Sequence, residues 1–201
     1  MCLLYIVILL VLVIGLYKIC TRKNLRTSRI LPHLVEGDKI LDLGCGECCI
    51  TNELNQKGYN VKGLDIVDAG TCMKPEIYNG KNIPFPDKYF DVSICAFVLH
   101  HADNYKHLLD ELNRVTRRVI LVFEDTPQNE WDRFFNRMHS SSEWGNCEDC
   151  FLPKKDWVDL LSKYGIVETE DISVLEFPFA DSPWIYPVHK TFFACNLDGF
   201  E

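Results

Sequence analysis

The first 35 residues hold no acidic side chain, and residues 2 to 17, "CLLYIVILLVLVIGLY", hold no charge of either sign. No basic segment precedes that run and no small-x-small site follows it, which favours a retained anchor over a cleavable secretory signal. Beyond residue 29 the balance reverses. Residues 30 to 201 carry 16 bases against 29 acids, a balance of −13. No basic patch stands out among them, so a surface built to grip nucleic-acid phosphates is excluded. No segment repeats and none is of low complexity, and 201 residues suffice for one globular domain with a single core.

The uncharged run is present where charge is not. As a helix, residues 2 to 17 rise about 24 Å at about 1.5 Å each. A hydrocarbon core is ~30 Å thick. Ile19 and Cys20 lengthen the run, and Lys18 can snorkel to the headgroups. A core helix so apolar on every face would need protein all round it, so a single transmembrane helix over residues 1–20 is the expectation. Lys18, Arg22, Lys23, Arg26 and Arg29 all follow the run. Residues 21–29 then read as a basic juxtamembrane linker against anionic lipid, with the domain, 30–201, on the cytosolic side. Ten cysteines agree with a reducing compartment if they are thiols.

Along the domain, Pro32 sits early in a helical turn that Gly37 ends. "KILDL" has strand length and is closed by Gly44, residues 47 to 57 have helical spacing capped by Gly58, and "YNVKGLDI" is the next strand. "KPEIYN" is a weak third strand, "IPFPDKYF" a loop, "FDVSICAFVLHH" a buried strand, and residues 103 to 115 an amphipathic helix. "RRVILVFED" is a strongly β-branched strand. Helices follow near 128 to 138 and 154 to 164, and "IVETEDISVLEFPF" with "HKTFFACNL" reads as a closing antiparallel pair. This alternation predicts an α/β, doubly wound, mostly parallel sheet, whose ligands bind beyond the carboxyl ends of the strands.

"ILDLGCGECC", residues 40 to 49, ends the first strand. Gly44 and Gly46 permit positive φ and let a ligand reach bare backbone. Asp42 suits a cationic group and would repel a pyrophosphate. The dinucleotide fingerprint needs a third glycine at position 49, where Cys49 stands, so a nucleoside with an amino-acid-like tail fits better than NAD. Asp65, ending the second strand, is placed to accept hydrogen bonds from ribose hydroxyls.

On these residues the sequence resembles the class I S-adenosylmethionine-dependent methyltransferases, in particular the type 11 methyltransferase domain. "ILDLGCGECC", "VKGLDI" and "IPFPDKYFDVSICAFVLHH" look like successive motifs of that family, over roughly residues 30 to 125. The resemblance implies a Rossmann-like seven-stranded sheet with a reversed last strand, and S-adenosyl-L-methionine as cofactor. It implies that Asp42 and the turn Gly44, Cys45, Gly46 hold the methionine part, that Asp65 holds the ribose, and that Ile66 packs on the adenine. Asn79 stands where many relatives have an acid that meets the adenine amino group. Ala96 to His100 would line the cofactor and the substrate mouth.

Each feature also has a plainer reading. Cys45, Cys48, Cys49, Cys147, Cys150 and His139 could suggest zinc, which wants four converging ligands, but Cys45 stands at a turn position that the family often fills with Cys, as in "DLGCG", and no metal is expected. His100 is either a general base or a loop histidine, a question of geometry. Glu124 and Asp125 are further candidate bases, or caps and backbone contacts. Trp131, Phe134, Phe135 and Trp144 read as core or lid packing. The expected function is methyl transfer to a small-molecule or lipid-like acceptor at a membrane surface. The alternatives are a non-catalytic, cofactor-binding membrane scaffold and an oxidoreductase, the latter disfavoured by the missing third glycine.

Overall fold

In the computed structural model, residues 26–140, 150–172 and 188–197 are described, without the side chains of residues 139 and 140. Strand β1 (Lys39–Leu43) shows how the sequence builds the centre. Leu41 and Leu43 face one hydrophobic layer, while Ile40 faces the other. Such double burial is what a parallel strand between two helix layers requires. β1 pairs in parallel with β2 (Asn60–Asp65) on one side and β4 (Phe90–Ala96) on the other. The two-residue β3 (Glu76–Ile77) extends the sheet beyond β2, and β5 (Thr116–Asp125) lies beyond β4.

β6 (Gly165–Ile172) and β7 (Lys190–Leu197) form the expected closing pair, with β7 antiparallel to both β5 and β6. The order is β3-β2-β1-β4-β5-β7-β6, seven strands with one reversed. Helix α1 (Cys49–Gln56) covers one face, with Leu54 packed beside Ile30, Ile40 and Val92. Helices α2 (Tyr105–Val115) and α4 (Lys154–Leu161) cover the other, burying Leu108, Leu109, Leu112 and Trp157 against Leu41, Leu43 and Phe193. Helix α3 (Glu130–Ser140) follows the carboxyl end of β5.

One expectation changes at the domain's N-terminal edge. Residues 26–30 are helical, not an extended linker, and belong to the domain. Thr27 Oγ1 donates to Glu53 at 2.7 Å, Arg29 pairs with Glu170 at 2.9 Å, and Ile30 is buried. The boundary at residue 30 therefore moves towards the N-terminus: Thr27 and Arg29 of the basic segment have partners on the domain rather than on lipid. The apolar run 2–20 lies outside the described residues. Among the described residues no helix is long and apolar enough to cross a membrane.

Candidate cofactor site

The strand order turns back between β1 and β4, and the loops after these strands meet there. A Cβ added at Gly44 would lie 2.3 Å from Val98 Cγ2, and Gly44 has φ +65°. Space and backbone conformation both demand glycine at this point. Gly46 has φ +51° and nothing within 4 Å of its would-be Cβ, so that backbone is open to a ligand.

Asp65 fixes the turn's shape. Its Oδ2 accepts from Gly46 N at 2.7 Å, and its Oδ1 accepts from Ile66 N at 2.7 Å and Val67 N at 3.2 Å. A carboxylate offers about four acceptor positions, so capacity remains for a ribose hydroxyl. Ile66 is 51% exposed, an apolar side chain left in solvent at the carboxyl end of β2. Gly80, with φ +74°, lies against it, at 3.1 Å from Ile66 Cγ2 to the built Cβ.

Asp42 is buried and accepts from the Thr51 hydroxyl of α1 at 2.6 Å. Burial pushes its carboxyl up to about 6; the Thr51 hydrogen bonds and the Arg26 charge oppose that rise, and Asp65 adds to it. An ammonium brought to this corner would restore the ionised form. Arg26 lies over the Phe97 ring, 5.3 Å from its centroid. Phe97 itself has φ +60°, a sparsely populated conformation for an aromatic residue, directly after Ala96.

Asn79 departs from the expected adenine contact. Its Oδ1 accepts from Lys81 N at 2.9 Å and Asn82 N at 3.0 Å, an Asx turn that engages the oxygen meant for the cofactor. His100 is sealed in: its Nδ1 is hydrogen-bonded to Glu124 Oε2, and its ring stacks on Phe151 at 4.7 Å. Glu124 Oε1 also accepts from Val98 N at 3.2 Å and Leu99 N at 2.8 Å. Burial opposes a charged imidazole, but the Glu124 charge and hydrogen bond and the Asp125 charge outweigh it and hold His100 above its ordinary pKa. Buried and so paired, His100 joins two strand ends rather than standing open as a base. Glu124 makes the backbone contacts of its plainer reading, and Asp125 faces Lys190 in the β5–β7 register.

Trp131, Phe134 and Met138 are 73%, 48% and 56% exposed, contrary to the packed reading of the aromatic segment. Their spacing places them along one side of α3, away from the core. Trp144 and Cys147 lie outside the described residues, as does the side chain of His139. The cysteines also depart from the thiol reading: Cys45 is joined to Cys48 and Cys49 to Cys72.

Sequence reasoning missed Thr51, Gly63 and Gly80, and included Val98 only within the 96–100 lining. A glycine inside a strand, as Gly63 is, signals a close approach. A Cβ there would lie 2.9 Å from Cys45 Sγ and Thr51 Oγ1. Thr51 carries no local signal, because only the fold brings it to the turn.

The open Gly46 backbone, the Asp65 acceptor and the exposed Ile66 fit a nucleoside, and the Asp42 corner fits a cationic tail. Residues 41–122 match the family model described as "Methyltransferase domain". Over residues 41–122 the chain resembles a methyltransferase domain. It is 31% identical over 113 residues to a demethylmenaquinone methyltransferase of Mycobacterium tuberculosis, covering 52% of this chain and 48% of the relative. It is 23% identical over 184 residues to a ubiquinone biosynthesis O-methyltransferase of Rickettsia bellii, covering 82% and 76%. The chain thus spans about half the length of the first of these relatives. A solved S-adenosylmethionine-dependent methyltransferase of Thermotoga maritima, described as a possible histamine N-methyltransferase, superposes with a TM-score of 0.65 at 13% identity over 92% of each chain. That likeness concerns the fold of the methyltransferase domain alone.

Proposed function

We propose that this chain is an S-adenosylmethionine-dependent methyltransferase acting on an apolar, lipid- or quinone-like acceptor, held at the cytosolic face of a membrane by residues 2–20. The observation that carries the cofactor reading is Asp65, an acid on the turn's own amides beside open Gly46 backbone and exposed Ile66. When bound, the cofactor supplies a methyl group activated on a sulfonium. The chain's residues then position: Asp65 and Ile66 hold the nucleoside, and Asp42 with the glycine turn holds the amino-acid tail. Because His100 is sealed, the acceptor must bring its own lone pair or lose its proton to solvent, and rate comes from orientation.

Two observations support an apolar acceptor. Trp131, Phe134 and Met138 leave an apolar stripe on α3, which begins at the carboxyl side of β5. Two relatives also bear quinone-pathway names. The anchor rests on the uncharged run and the bases that follow it. The second reading, a cofactor-binding scaffold without turnover, draws on the buried His100.

Incubating the full chain with methyl-labelled S-adenosylmethionine and a cell lipid extract tests the reading. Label in an organic-soluble product supports it. Cofactor binding with no transfer to any fraction favours the scaffold. Alkaline carbonate extraction tests the anchor, since release into the supernatant contradicts it.

A further inference from the structure

The cofactor reading uses the Cys45 backbone in the turn but leaves the sulfurs of four clustered cysteines unused. Cys45 and Cys48 sit within the glycine turn, with their sulfurs against Gly63 of β2, and Cys48 is fully buried. Cys49 and Cys72 lie on the outer side and are only half-buried. Their Cα atoms are 5.1 Å apart, within the range a disulfide needs. Cys49 is the first residue of α1, and Cys72 belongs to the segment after β2 that also carries Ile66. The Cys72 N–H donates to Glu47 O at 3.0 Å, so backbone already brings the segment to the turn. Glu47 Oε2 lies 3.6 Å from Cys49 Sγ.

We infer that Cys49 and Cys72 form a reversible dithiol–disulfide staple, which in its oxidised form fixes the 66–74 segment against the glycine turn. The inference of an effect on ligand binding rests on the cofactor reading above; the staple itself does not. A helix start favours the Cys49 thiolate. With a peroxide as oxidant, the thiolate attacks one peroxide oxygen. An S–O bond forms, the O–O bond breaks, and the departing hydroxide is protonated to water. The Cys72 thiolate then attacks the sulfenic sulfur, forming S–S and releasing the second oxygen as water. Two thiols and one peroxide become one disulfide and two waters. An external dithiol reverses this by exchange, leaving two protein thiols and its own disulfide.

The two cysteines close a loop that contains Asp65 and Ile66, so the bond limits the freedom of the wall proposed to meet the nucleoside. Glu47, Cys49 and Cys72 also lie close enough together to suggest a metal site. They supply three ligands where a closed zinc site takes four, and the two sulfurs are already joined. The staple is therefore the better reading.

The test uses the full chain, reduced with dithiothreitol, cleared of it, and treated with hydrogen peroxide. Peptide mapping should recover a Cys49–Cys72 cross-link that dithiothreitol removes. Hydrogen exchange of the 66–74 amides should slow at least tenfold on oxidation in the native chain and stay unchanged in Cys72→Ser. S-adenosylhomocysteine should bind at least threefold tighter to the oxidised form. If neither form binds it, the cofactor reading falls while the exchange result still decides the staple. Oxidation of Cys49 or Cys72 without the cross-link overturns the inference, as does exchange indifferent to it. One-to-one zinc uptake by the reduced chain, lost in Glu47→Gln and Cys49→Ser, overturns it in favour of a metal site.

Discussion

Asp65 and Glu124 hold corresponding positions on the two walls of the crevice. Asp65 ends β2 and accepts from Gly46 N in the loop after the neighbouring β1. Glu124 stands near the end of β5 and accepts from Val98 N and Leu99 N in the loop after the neighbouring β4. Each carboxylate thus satisfies loop amides that no strand partner serves. They differ in what surrounds the brace. Around Asp65 the backbone is open and Ile66 is exposed; around Glu124 the side chain is fully buried and His100 closes it off. The same device becomes a binding wall where glycine leaves space, and a structural joint where an imidazole fills it.

The largest break in this comparison should come from Glu124→Ala. It leaves two amides and a charge-favoured His100 without their acceptor, which should cost about 3–5 kcal/mol in urea unfolding. Glu124→Gln keeps a carbonyl for the amides and should lose less. If the two variants unfold alike to the native chain, the joint is not structural.

Asp42 should give a pH signature of similar size. Its carboxyl is raised by burial to about 6, while the unfolded chain returns it to about 3.9. The native state therefore binds the extra proton between these values, and this group's contribution is full at low pH. It is lost as pH rises from about 4 to above 6, by roughly 3 kcal/mol at about 1.4 kcal/mol per unit. Asp42→Asn should flatten that part of the stability profile, and an unchanged slope would place the titration elsewhere.

Gly44→Ala should cost about 2–3 kcal/mol from positive φ and the Val98 contact. A second change, Val98→Ala, should recover the steric share in thermal unfolding and leave the backbone share. Asp65→Asn should weaken cofactor binding by about 1.5–3 kcal/mol, seen by calorimetry, with a smaller loss of stability. A stability loss larger than the binding loss would make Asp65 a joint like Glu124.

The comparison also explains what could be read from sequence. The open wall is written in local terms: glycines at 44 and 46, Asp42 just before the turn, Asp65 ending the next strand, and a missing third glycine. Strand–helix alternation likewise carried the mostly parallel sheet and its closing antiparallel pair, since period and turn residues are local, while the seven-strand count with a reversed last strand came with the family resemblance. The sealed wall is not local. His100 and Glu124 are 24 residues apart, and only the β4–β5 pairing makes them partners. Asn79 looked like an adenine contact because its position matched, but its own turn takes its oxygen. The helical residues 26–30 were hidden by their charge, which suggested lipid when Glu170 was the partner of Arg29.

Calorimetry of the full chain with S-adenosylmethionine, its demethylated product and NAD tests the central claim most directly, that the open wall is a methyl-donor site. The account predicts saturable binding of the first two, weakened in Asp65→Asn, and no heat with NAD. Tight NAD binding with no response to either sulfur nucleoside would contradict it.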